Sequence, residues 1–232
     1  MGGDNHEHAD STTASVRATY DRIADHFATT REHPWPEVVQ FVEREASRRG
    51  GSLGRAIDIG CANGRHTELL ADHGADPVGI DVSRALLRAG QRRAADREFC
   101  ASWVCGDAAR LPIAENTASI AIYVATLHHL RPRSARIGSL DELARVLTPG
   151  GRALVSAWSI EHDRFDATAA FDTTVEWTLP GGETVPRFYH IYSPAEFRED
   201  LAQSALDAID VEISSGNCYA TVAVGDASPG EM

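Results

Sequence analysis

One run restricts the possible folds of this chain more than any other. The strand-like segment Arg55-Ala56-Ile57-Asp58-Ile59-Gly60 passes without a break into Cys61-Ala62-Asn63-Gly64 and then into a stretch of helical period near 65–73. Glycine in such a turn lets the backbone approach a ligand closely, and the turn delivers that ligand to a helix N-terminus. Taken alone, the same turn is an ordinary tight strand-to-helix connection. Its weight comes from what surrounds it.

Short apolar runs bounded by Gly, Pro or Asp recur at 77–80, 101–105, 119–125 and 152–158, and read as strands buried on both faces. Helix-period stretches separate them at 65–73, 83–95 and 133–147. The second is opened by Ser83 as N-cap, and the third is closed by Pro149-Gly150-Gly151. Alternating strands and helices predict an α/β, Rossmann-like doubly wound sheet with helices on both faces. Ahead of it lies an amphipathic helical cap over 15–50, interrupted at Pro34-Trp35-Pro36; behind it, an irregular insertion on the substrate side over 160–192. Ser193-Pro194-Ala195-Glu196 then carries a helix-start signature. Two late β-like runs, 208–214 and 218–224, flank Ser215-Gly216-Asn217 as a hairpin that finishes the sheet. The expectation is one domain over 15–224, with disordered polar tails over 1–14 and 225–232. A chain of 232 residues accommodates one such core and little more.

Net charge is −12, and all 22 basic residues are arginine. A lysine-free acidic surface suits a protein working at high salt, where self-repulsion is screened, and points to a halophilic origin. It argues against nonspecific nucleic-acid affinity, which rests on counterion release, while leaving shape-specific RNA recognition open. There is no apolar run of membrane-spanning length and no secretion signal at the start, so a cytoplasmic location without membrane contact is expected. Cys61, Cys100, Cys105 and Cys218 form no CxxC pair, so no metal site is expected.

Acidic residues close three successive strands. Asp58 lies just before Gly60; Asp81 ends the second strand, where it can accept both hydroxyls of a ribose; Asp107 follows the third, where it can take an adenine amino group. A dinucleotide fingerprint normally has no acid before its first glycine. Asp58 instead suits a nucleoside ligand with an ammonium group and no phosphate, which describes S-adenosylmethionine.

These residues resemble the class I S-adenosylmethionine-dependent methyltransferases, from Asp58–Gly64 through Asp81 and Asp107 to the turn Leu147-Thr148-Pro149-Gly150-Gly151. Ala62 departs from the family, many members having glycine there. The resemblance implies a seven-stranded sheet, mostly parallel, whose last strand is antiparallel. It also implies cofactor contacts from Tyr20, Phe27, Asp58, Gly60, Cys61, Gly64, Asp81, Val82, Asp107 and Ala108. The flanks narrow the likeness further. Tyr20 to Arg31 with Trp35-Pro36, Leu127-His128-His129-Leu130, Ser156-Ala157-Trp158, Arg187-Phe188-Tyr189-His190-Ile191-Tyr192 and Gly216-Asn217 resemble the Trm9-type tRNA methyltransferases, including the methyltransferase domain of the AlkB homologue 8 proteins.

That resemblance implies formation of the methyl ester of 5-carboxymethyluridine at the wobble position in a tRNA anticodon loop. It also implies a small zinc-binding Trm112-type activator as partner, expected on the unprotected edge strand 101–105, where Trp103 invites strand addition. A substrate carboxylate needs a guanidinium, for which Arg31 and Arg187 are the candidates. His128 and His129 would overhang the transferred methyl, Trp158 and Tyr189 would stack on the uracil, and His190 would complete the substrate side. Two other readings stand beside this one: a small-molecule methyltransferase acting on a quinone or carboxylic acid metabolite, and a catalytically silent subunit.

Overall fold

A computed structural model describes residues 4–225, with side chains from Thr13 onward. Strands β1 (Gly54–Ile59), β2 (Ala75–Asp81), β3 (Ser102–Cys105), β4 (Ala118–Val124) and β5 (Leu147–Trp158) run parallel. Two more strands, β8 (Asp207–Ser214) and β9 (Asn217–Ala223), complete a seven-stranded sheet in the order β3-β2-β1-β4-β5-β9-β8. The last strand of the chain, β9, is antiparallel to both its neighbours, β5 and β8, as expected. Helices α3 (Arg65–Asp72), α4 (Arg84–Asp96) and α5 (Arg133–Val146) make the crossovers, and α6 (Pro194–Ala202) precedes β8.

The sheet is buried on both faces because its central strands are apolar at nearly every position. In β4, Ala121 and Tyr123 face a core shared with Leu140 and Leu143 of α5 and Phe197 of α6. Ile120 and Ile122 face the opposite core, built on Leu70 of α3 and on helix α2 (Pro36–Arg48). In α2 the buried Val38, Phe41, Val42 and Glu45 follow the i, i+3, i+4, i+7 stripe of an amphipathic helix. The predicted caps are in place: Ser83 Oγ accepts from Leu86 N at 3.1 Å, and Ser193 Oγ from Glu196 N at 3.1 Å with Pro194 at the first helical position.

Three expectations change. Helix α1 spans Asp4–Thr30, so most of the lead expected as a disordered tail is helical; the other expected tail falls outside the described residues from 226 on. The turn 147–151 belongs to β5, and α5 ends at Val146. The insertion 160–192 is not irregular throughout, since it contains an antiparallel hairpin, β6 (Phe171–Thr178) with β7 (Thr184–Ile191). Its alternation was disguised because Arg187 holds an inward position that a buried apolar residue normally fills.

Candidate active site

The sheet order reverses between β1 and β4, and a cleft opens beyond the carboxyl ends of these strands, where α/β sheets bind ligands. Gly60 N and Cys61 N both donate to Ile80 O, at 2.8 and 3.0 Å, which ties the turn to β2. Gly60 has φ 71°, and a Cβ there would collide with Thr126, the residue that follows β4 across the cleft. Gly64 caps α3 at φ 76°, with the Trp103 ring packed against it. Ala62, at φ 49°, occupies a left-handed conformation that costs an L-residue about 1–2 kcal/mol.

The three expected acids play different parts. Asp81 accepts from Ala62 N at 2.9 Å through Oδ2 and from Ser83 N at 2.8 Å through Oδ1, and burial raises its pKa to about 6. Asp107 accepts from Ala109 N at 2.8 Å and from Thr13 Oγ1 at 2.7 Å. Each oxygen keeps a lone pair for a ligand, and both residues line the cleft with Gly60, Cys61, Val82 and Ala108. Asp58 does not line it. Its buried carboxylate accepts from Thr67 Oγ1 at 2.7 Å, which pins the first turn of α3 to β1, and burial raises its pKa to about 7. Asp58 is thus a support for the turn rather than the direct ammonium partner expected. Gly64 likewise acts from behind. The cradle and its two tethered carboxylates fit S-adenosylmethionine, a nucleoside without phosphate.

Helix α1 crosses the mouth of the cleft. Thr13, Val16, Tyr20 and Phe27 line it, and Asp21 Oδ1 accepts from Ser83 Oγ at 2.7 Å and Ala85 N at 3.0 Å at the start of α4. The helix end is stapled to the glycine turn by Asn63 Nδ2, which donates to Ala28 O at 3.1 Å and Arg31 O at 2.9 Å.

Behind Tyr20 and Phe27 lies a second chamber of the site, filled by a packed cluster of buried polar and aromatic side chains from β7, Trp177 of β6 and the turn Leu127–His129. Arg187 is 7% exposed, has no carboxylate partner among the described residues, and donates to Tyr189 Oη at 2.7 Å. Its guanidinium lies 4.9 Å from the Trp177 ring centre and 5.1 Å from that of Tyr189, and its Nε has no acceptor. Arg31 lies 5.4 Å over the same Trp177 ring, also without an ion pair among the described residues. Two guanidinium groups therefore meet at one aromatic side chain.

The histidine tautomers follow from their partners. His129 Nδ1 lies 2.8 Å from Phe188 O, a pure acceptor, so Nδ1 carries the proton and Nε2 accepts from Tyr20 Oη at 2.8 Å. His128 Nδ1 accepts from Trp158 N at 3.2 Å, so its proton sits on Nε2, a buried donor with no acceptor. Burial lowers the His129 pKa to about 4 and that of His128 well below the usual imidazole range. Both rings are neutral.

Two other expected residues are displaced. Tyr189 is buried between His128, stacked at 4.5 Å, and Arg187, which leaves no free face for a uracil. His190 faces away from the chamber, because adjacent strand residues point to opposite sides. Its Nδ1 hydrogen-bonds Asp172 Oδ1 at 2.7 Å, and its Nε2, which has no hydrogen-bond partner, lies 3.2 Å from Glu196 of α6. Trp158 remains half-buried beside Tyr189 at 4.9 Å, with His162 stacked on it at 5.2 Å. The residue that sequence reasoning missed is Trp177: it sat in the stretch read as irregular, and the alternation of Val175 and Trp177 against exposed neighbours was its only signal.

Comparison with known proteins agrees with this geometry. Residues 57–155 match the model of a family described as a methyltransferase domain. The chain is 36% identical over 148 residues to the tRNA (carboxymethyluridine(34)-5-O)-methyltransferase ALKBH8 of Mus musculus, covering 64% of this chain and 20% of that protein. It is 31% identical over 176 residues to the Saccharomyces cerevisiae tRNA (carboxymethyluridine(34)-5-O)-methyltransferase, covering 74% of this chain and 59% of that one. The chain thus spans about a fifth of the first relative and under two thirds of the second. A solved S-adenosylmethionine-dependent methyltransferase from Clostridium acetobutylicum shares the fold, with TM-score 0.68, 12% identity, and coverage of 89% of this chain and 96% of that one.

Proposed function

We propose that this chain, which carries a methyltransferase domain, transfers a methyl group from S-adenosylmethionine to the carboxylate of 5-carboxymethyluridine at the wobble position of a tRNA, forming its methyl ester. The observation that carries this reading is Arg187: a buried guanidinium with no anion among the described residues. Burying a charge unpaired costs several kcal/mol, and a substrate carboxylate would relieve that cost through paired hydrogen bonds. The similarity to tRNA methyltransferases supplies the substrate class.

When bound, S-adenosylmethionine supplies an electrophilic methyl group. The protein's part is mostly alignment. A carboxylate, with a reference pKa near 4, is already ionised at neutral pH and needs no general base. The histidines agree, since His128 offers Nε2 as a hydrogen-bond donor and both nitrogens of His129 are committed within the protein. They position and donate; neither has a free lone pair facing the chamber. Arg187 and Arg31 would hold the two carboxylate oxygens while Trp177 fixes both guanidinium planes. Entry of the uridine requires Phe27 and Tyr20 to give way.

The partner reading carries forward a Trm112-type activator on β3, which has only β2 as a sheet neighbour. Trp103 is not the contact for it, because its ring is turned inward against Gly64, Gly79 and Gly90. The exposed Ser102 and Cys105 are the positions to alter. No helix of the described residues is long and apolar enough to cross a membrane. A tRNA substrate implies the cytoplasm, and the lysine-free acidic surface supports work at high salt.

The test is methyl transfer from labelled S-adenosylmethionine to purified tRNA containing carboxymethyluridine, run beside a metabolite extract. Label in the tRNA supports the reading, and label confined to the metabolites transfers the chain to the small-molecule class.

A further inference from the structure

Acidic residues outnumber arginines in this chain by 34 to 22, so carboxylates are in ample supply for every exposed guanidinium. At the amino ends of the strands they are used: Arg55 meets Asp76 at 2.9 Å, Arg152 meets Glu45 at 3.2 Å and Arg145 meets Glu142 at 2.7 Å. The carboxyl ends, where the cleft opens, differ. Arg84 opens α4 three residues after Asp81, Arg110 follows Asp107 by three, and Arg131 follows the turn Leu127–His129 beyond β4. All three are exposed, as is Arg88 one turn along α4 from Arg84. None of the four enters an ion pair among the described residues, whereas Arg92, a further turn along, is drawn to Asp25 at 3.4 Å. The acids near them are engaged elsewhere: Asp21 holds Ser83 Oγ and Ala85 N, and Glu142 holds Arg145 and Leu111 N. Arg131 also lines the cleft, with its guanidinium 4.6 Å over the ring of the half-buried Phe188 of β7.

Unpaired guanidinium groups spread round a cleft select an extended polyanion rather than a small ion. Arg110, Arg84 and Arg131 follow β3, β2 and β4, strands that together span about 14 Å across the sheet. On the opposite flank, after β5, the exposed Glu161, Asp163 and Asp166 make the loop anionic and turn such a chain away. The stacked pair of Arg131 and Phe188 adds a flat surface, and guanidinium planes and aromatic rings are where unstacked RNA bases rest. We propose that Arg84, Arg110 and Arg131 bind the backbone of the RNA loop that flanks the modified uridine, with Arg88 extending the track along α4 and one flanking base stacked on Arg131 over Phe188. This rests on the tRNA reading above. It also reconciles that substrate with a net charge of −12: attraction is gathered at the cleft, and the rest of the surface repels the polyanion.

Steady-state methyl transfer to an anticodon stem-loop RNA carrying 5-carboxymethyluridine, followed over a salt series, tests the assignment on the intact chain. The triple variant Arg84→Gln, Arg110→Gln, Arg131→Gln should raise KM for the RNA about tenfold or more at the lowest salt, with kcat within about threefold of wild type. Its plot of log KM against log salt should be shallower by about two, the share of three phosphate contacts on a single strand. Phe188→Leu should raise KM in part and keep the wild-type slope. KM does not depend on the active fraction, so a partly unfolded sample does not imitate these results. As a control, Arg44→Gln with Arg198→Gln removes exposed arginines of α2 and α6 and should leave KM within about twofold. An equal rise in the control would overturn the proposal. Unchanged KM and slope in the triple variant would overturn it too, leaving these arginines to an acidic protein partner and the tRNA reading intact. Transfer by the wild type to metabolites and never to the RNA would overturn that reading as well.

Discussion

The two chambers of this molecule satisfy their charges in opposite ways. At the carboxyl ends of β1, β2 and β3 the acidic groups are held by the protein itself: Asp81 by two backbone N–H groups, Asp58 by Thr67, Asp107 by Ala109 N and Thr13. On the far side of Tyr20 and Phe27, Arg187 and Arg31 meet at Trp177 with no acid among the described residues to pair them, and His128 keeps a buried donor unused. The first chamber is complete before a ligand arrives. The second is polarised towards an anion that the described residues do not provide. The cofactor cleft is thus built into the sheet, whereas the proposed substrate site depends on side chains carried by α1 and the hairpin.

The largest effect should come from damaging the complete chamber. Gly60→Ala places a methyl group against Thr126 and forces the turn out of register. Affinity for S-adenosylmethionine should fall by about a hundredfold, or about 2.7 kcal/mol, by calorimetry. Retained affinity would mean that the turn does not form the cofactor wall.

Damage to the second chamber should leave the first untouched. Arg187→Lys keeps the charge and loses the planar fork, so methyl transfer should fall about tenfold or more, roughly 1.4 kcal/mol, with cofactor affinity within twofold of wild type. Arg187→Met, which removes a buried unpaired charge, should abolish transfer and leave the thermal midpoint equal or higher. A lower midpoint would show that the guanidinium stabilises the fold and is not waiting for a ligand.

The chambers should also respond to pH with opposite signs. Asp58 and Asp81 have folded-state pKa values of about 7 and 6, above the unfolded carboxylate value. Their linkage therefore favours the fold at low pH, and that contribution is lost as pH rises from about 4 through 7. His129, lowered to about 4, does the reverse: its neutral form supports the fold above about 6.5, and the support is lost as pH falls from there towards 4. Denaturant titrations should show Asp58→Asn flattening the decline towards neutral pH, and His129→Gln flattening the decline on the acid side. If both variants alter the same limb, the contrast fails.

Much of the first chamber was legible because its chemistry is local in sequence. A strand, a glycine turn and an acid at each strand end follow one another within about fifty residues, from Asp58 to Asp107. The second chamber draws on α1, the turn after β4 and the hairpin, and period-2 geometry decides which neighbours enter it. Tyr189 and His190 are adjacent in sequence yet face opposite sides, so the motif alone put His190 in the site when the strand turns it to α6. Trp177 escaped notice for the converse reason: only the short alternation of Val175 and Trp177 suggested a strand, and Arg187, which packs on its ring, broke the apolar alternation of the facing strand. The start of α1, before the cap expected from 15 on, was missed because its residues are polar and aperiodic.

A smaller effect concerns the departure at Ala62. Glycine relieves the left-handed strain but adds freedom to the unfolded chain, so Ala62→Gly should stabilise the protein by about 0.5–1 kcal/mol. The thermal midpoint should rise by a few degrees without change in substrate selectivity. A lower midpoint would indicate that the alanine methyl makes a contact worth more than the strain.

The claim that the nucleophile is a carboxylate is tested most directly by the pH–rate profile of methyl transfer to carboxymethyluridine-containing tRNA at saturating cofactor, with the lability of the product followed in parallel. The account predicts a rate that does not rise between about pH 6.5 and 8.5, because no base has to be deprotonated, and a label released from the tRNA by mild alkali as methanol. A rising limb with a pKa between about 6 and 8 that disappears in His128→Ala, with a label that resists alkali, would contradict it, since that behaviour requires a base and a hydroxyl or amine acceptor.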